Sequence, residues 1–95
     1  MHPLVAPARL TSDHRLEFRR AVLEALEESI RARMTAVEID LSIVTEMDAS
    51  GLGVLVLLQK RAREKGLRTR LLYAPTPVSE MLHVTRLDTL FEISR

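Results

Sequence analysis

The chain is 95 residues long, 46% apolar and 28% charged, with fourteen basic against thirteen acidic side chains and no cysteine. That length supports one hydrophobic core, and the balance is that of a globular chain, not of a disordered, collagen-like or membrane-spanning one. A net charge of +1 gives no field to steer the chain toward nucleic acid, and without cysteine neither a disulfide nor a thiolate metal site can form.

Residues 1–95 therefore read as a single domain. The longest apolar run, residues 54–58, is about a quarter of the ~20 residues needed to cross a bilayer. The opening Met-His-Pro-Leu-Val places no basic segment before an apolar one. The expectation is a cytoplasmic protein without direct membrane insertion.

Residues 4–10 predict a short strand, which Pro7, lacking an N–H, confines to a sheet edge. Thr11, Ser12 and Asp13 offer cap chemistry to a helix over residues 12–33, in which Leu16, Leu23, Leu26 and Ile30 recur at helical spacing. Its solvated face carries Arg19, Arg20, Glu24, Glu27, Glu28 and Arg31, with Glu27 and Arg31 placed to pair at i,i+4. Val37, Ile39 and Leu41 alternate with Glu38, Asp40 and Ser42, the period of a strand with one buried face. Residues 52–66 then predict a second helix closed by Gly66 in the left-handed conformation. Residues 71–73 predict a third strand. Thr76 as cap and Pro77 in the first turn open a short helix to about Val84, and residues 90–93 predict a last strand. The pattern βαβαβαβ implies a small α/β domain with a mainly parallel four-stranded sheet packed with helices.

The turn at residues 47–53 departs most from generic packing. Asp48 and Ser50 offer acceptors to the free N–H groups of a helix start, and Gly51 and Gly53 allow close backbone approach. The same residues also suit an ordinary capped helix, so spacing alone does not decide their role. In the helix that follows, Leu55, Leu58 and Ala62 share a face and form the expected core set. Leu52 and Val56 point away from it and are expected to form a partly exposed apolar patch beside the turn, a surface for a protein partner.

Together, residues 37–42, the Met-Asp-Ala-Ser-Gly-Leu-Gly-Val-Leu stretch at 47–55, the basic helix end through Gly66 and Thr-Arg-Leu-Asp-Thr-Leu-Phe at 85–91 resemble a STAS domain. This is the fold of bacterial anti-sigma factor antagonists, of sulfate-transporter cytoplasmic tails and of a small subunit of phospholipid-transporting ABC systems. The resemblance covers roughly residues 8–93. It implies a non-enzymatic, regulatory protein-binding module that engages a kinase-like anti-sigma factor through Asp48, Ala49, Ser50, Gly51, Leu52, Gly53 and Val56. The alternative it implies is a subunit that docks on the ATPase of a phospholipid-transport ABC system. In family antagonists the hydroxyl residue after the motif Asp is phosphorylated to block binding; here that residue is Ala49, so the usual switch is absent. Ser50, one residue on, is the remaining hydroxyl for phosphorylation, but about 100° of helical rotation turns it elsewhere, and its competing role is a helix cap. Three further departures stand out. The family's Gly-Glu-Leu-Asp turn reads Ala8-Arg9-Leu10-Thr11, and both the strand that precedes it and the C-terminal helix are missing. Residues 4–10 are thereby left as an open edge that could pair with a second copy.

Other chemistry finds little support. His2, His14 and His83 have no metal-ligand spacing, and Ser50 lacks the flanking glycines of a nucleophile elbow. No dinucleotide or phosphate-loop fingerprint is present, so no cofactor is expected. Lys60, Arg61, Arg63, Lys65, Arg68 and Arg70 gather at a helix C-terminus, where they complement its dipole, and without interleaved aromatics they do not predict nucleic-acid binding.

Overall fold

A computed structural model describes residues 2–94. The strand expected over residues 4–10 is two short strands, β1 (Leu4–Val5) and β2 (Arg9–Leu10), in different sheets. Pro7 lies in the break, where no ladder hydrogen bond is asked of it. A 3-10 turn (Ser12–His14) leads into α1 (Arg15–Arg31), shorter at both ends than the expected helix. There follow β3 (Ala36–Asp40), β4 (Glu46–Met47), α2 (Ala49–Glu64), β5 (Arg68–Leu72), α3 (Thr76–Val84), a second 3-10 turn (Asp88–Leu90) and β6 (Glu92–Ser94). β4 was not foreseen, because two residues are too few to display a period of two.

The main sheet runs β1-β3-β5-β6 with every pair parallel, so that counted along this sheet the chain is βαβαβαβ as expected. β1 forms one edge, pairing Leu4 with Ile39 and Val5 with Asp40. β2 and β4 make a separate parallel pair. Because each crossover moves one strand over in the same direction, right-handed connections place all three helices on one face. That explains an alternation unusual for parallel strands, which are commonly covered on both sides. Val37, Ile39 and Leu71 are buried under the helices, while Glu38, Asp40 and Arg70 are only half-buried on the opposite face. Glu38, Arg70 and Glu92 are in register across three strands, and Arg70 donates to Glu38 (2.8 Å) and Glu92 (3.4 Å). The Glu38 hydrogen bond foremost raises the Arg70 pKa above its ordinary value. Glu38 and Asp40 thus belong to an interior strand.

The buried stripe of α1 is Phe18, Val22, Leu26 and Ser29; of the expected set only Leu26 belongs to it. Leu16 is 71% exposed and Ile30 is also open. Apolar residues occur on two faces of this helix, and the sheet covers only one. Turning Leu16 inward would expose the larger Phe18. Ser29 fits the stripe because its hydroxyl donates to the Ala25 carbonyl at 2.8 Å.

All three helices end alike. The N–H groups of Met34, Leu67 and Leu87 return to the carbonyls of Ser29, Ala62 and Leu82, each at 2.9 Å, around a left-handed residue: Arg33, Gly66 and Arg86. Gly66 was expected in this role; the two arginines were not, since arginine carries no preference for positive φ. α3 matches its expected span, with Pro77 in its first turn, but its cap position is Pro75 and no side chain caps it.

Candidate functional site

The site begins with Asp48. One carboxylate oxygen accepts from the N–H groups of Ser50 (2.8 Å) and Gly51 (3.2 Å), capping α2; the other accepts from the Ser12 N–H at 3.0 Å. One side chain therefore ties the start of α2 to the approach to α1. The Ser12 bond is the largest cause of a lowered Asp48 pKa, with the Gly51 and Ser50 bonds adding to it against a smaller desolvation effect. The cap expected from Thr11, Ser12 and Asp13 is accordingly supplied to α1 not by their side chains but by a backbone bond from His14 to Thr11 and by this carboxylate. Ser50 is likewise not an acceptor of the cap; it gives its N–H to Asp48.

The two glycines divide the roles expected of both. A Cβ on Gly51 would collide with the Leu10 carbonyl oxygen and lie 2.8 Å from Leu10 Cβ, so α2 meets β2 backbone to backbone there. Gly53 has nothing within 4 Å of a Cβ and faces open space. The apolar residues are also redistributed. Leu55, Leu58 and Ala62 are in the core as expected, but so is Leu52, only 9% exposed, together with Val54. The expected patch of Leu52 and Val56 is therefore wrong in its first member. It assumed that a single sheet covers α2, whereas α1, the β2–β4 pair and the 3-10 turn at residues 12–14 also pack on it. Val56 and Leu57 remain half-buried.

What the fold leaves at the surface is a groove of about 390 Å³ between α1 and α2, lined by Arg15, Arg19, Ala49, Ser50, Gly53, Val54 and Leu57. Ala49 is exposed at the first position of α2, and Ser50 is half-buried beside it. Among the described residues the Ser50 hydroxyl makes no hydrogen bond to a histidine or carboxylate, and no cluster of residues suited to hold a metal ion is found. Arg15, Arg19 and Leu57 were missed by sequence reasoning. The i,i+4 spacing of the two arginines was visible, but which face of α1 they share with α2 was not.

A family model described as "Mlab, STAS domain" matches residues 6–92. The chain belongs to the STAS domain family. In fold, this STAS domain is similar to the crystal structure of a candidate anti-sigma factor antagonist from Thermotoga maritima, with a TM-score of 0.80 and 23% identity over 96% of this chain and 77% of that one. The strand expected to be missing ahead of the Ala8-Arg9-Leu10-Thr11 turn is present as the short β1 at Leu4–Val5, paired with β3. No helix of the described residues is long and apolar enough to cross a membrane.

Proposed function

We propose that this STAS domain is a non-enzymatic cytoplasmic regulator that binds a kinase-like anti-sigma factor through the turn at residues 48–52 and the exposed side of α2. The observation that supports this reading is the likeness in fold to a candidate anti-sigma factor antagonist, with the motif turn exposed at the lip of the groove; the position that takes phosphate in family antagonists is here the exposed methyl of Ala49, directly after the capping Asp48. Without a hydroxyl the surface stays in its binding-competent form. A phosphate there would sit comfortably at a helix N-terminus yet resist desolvation against an apolar partner, and a carboxylate reproduces part of that effect. Asp48 positions the turn, Gly51 seats it on β2, and Ala49, Ser50, Gly53 and Val56 offer contact surface. Leu52, being buried, supports the surface from beneath.

A second reading is favoured by the description of the matched family, which names Mlab: the same face would dock on the ATPase of a phospholipid-transport ABC system, with no phosphorylation needed. Affinity capture from the native host with wild-type protein and Ala49→Asp distinguishes the two. Recovery of a kinase-like anti-sigma factor with wild type, reduced about tenfold or more in the variant, is the expected result. Recovery of an ABC ATPase lost in the variant establishes the second reading. Partners captured equally by both proteins remove the turn from the interface and overturn both.

A further inference from the structure

We infer that the groove between α1 and α2 receives an amphipathic helix of the partner that carries paired carboxylates. The inference rests on the proposed role of this face in protein binding and adds the chemistry of what binds. Two helical lines border the groove. Arg15 and Arg19 are one turn apart on α1, and Ala49, Gly53 and Leu57 follow one another at the same spacing along α2. Eight residues of α2 span roughly 12 Å, or two turns of a third helix laid alongside. Gly53 is the feature that lets such a helix come close, since even a methyl would protrude into the open space there. The half-buried Leu57, the buried Val54 and the methyl of Ala49 supply its apolar lining.

Charge selects the occupant. The only charged residues lining the groove are the two arginines, both exposed, and neither approaches a carboxylate within 4.0 Å among the described residues. Asp48, the nearest acid in the turn, is already committed to three N–H groups, and Glu17 lines the groove on the other side of α1. Farther along α2, Lys60 and Arg61 are exposed and keep the same sign. Two unpaired guanidinium groups one turn apart match Asp or Glu residues three or four positions apart on a facing helix, each able to pair through a fork of N–H donors.

The test is selection from a displayed library of ~15-residue peptides on an alanine-rich helical frame with one face randomised, against the whole protein. The expected winners carry two acidic residues at i,i+3 or i,i+4 beside small or apolar ones. As synthetic peptides they shift the Gly53 amide resonance and lose about tenfold or more in affinity for the Arg15→Glu, Arg19→Glu variant. Gly53→Trp, which fills the groove from its open side, gives the same loss without altering charge. Winners that shift Gly53 but are neutral or basic, or that bind the charge-reversed variant equally well, overturn this inference and leave the binding face standing. Winners that perturb only amides outside the groove overturn both. Failure to enrich any peptide also overturns the inference.

Discussion

Gly51 and Gly53 stand two residues apart on one helix and do opposite things. The first is pressed against the Leu10 backbone, where no side chain fits; the second borders empty space, where any side chain would fit. A glycine inside a helix is costly by roughly 0.5–1 kcal/mol relative to alanine. At Gly51 that cost is offset by close packing of α2 on β2. At Gly53 no close packing offsets it, as the proposed binding face would require. The inner side of the turn thus serves stability, and the outer side is the face proposed to bind.

Substitutions can break or sharpen this contrast. The largest effect is expected for Gly51→Ala, which forces α2 away from β2 and should lower stability by about 3 kcal/mol in a urea titration; a loss below about 1 kcal/mol would mean that the two elements separate easily. Next is Asp48→Asn, which replaces a carboxylate with a weaker acceptor at three N–H groups and should lower the melting temperature by several degrees. Because the folded-state pKa of Asp48 is depressed, its contribution is fully present above the unfolded carboxylate value of about 4 and is lost as pH falls through the lower folded value. The stability difference between wild type and Asp48→Asn should therefore shrink on acidification below pH ~4; a difference that stays constant there would remove the charge from the cap. The smallest effect on stability, and opposite in sign, is expected for Gly53→Ala: a gain of about 0.5–1 kcal/mol with weaker partner binding. If binding is unchanged, Gly53 is not at the contact.

The legible part of the fold follows from local rules. Val37 and Ile39 declared β3 by alternation, Pro77 declared the start of α3, and Gly66 declared the end of α2. Leu55, Leu58 and Ala62 were likewise readable as core. The failures share a cause. Choosing Leu16 over Phe18, and exposing Leu52, both required knowing how many neighbours cover a helix, which periodicity does not report. Arg33 and Arg86 adopt positive φ because the returning backbone bonds at Met34 and Leu87 hold the helix ends, and no residue preference announces it.

The sequence by itself determined the order of the main-sheet strands and the helices, the parallel sheet, the identity of the motif and the absence of a hydroxyl at residue 49, because each depends on residues near one another in the chain. Tertiary structure alone decided that Asp48 joins the starts of two helices, that Gly51 is sealed while Gly53 is open, and that Arg15 and Arg19 border the same groove as Ala49. These depend on residues thirty or more positions apart meeting in space, and packing, unlike local periodicity, chooses among several faces that the sequence leaves equally apolar or equally charged.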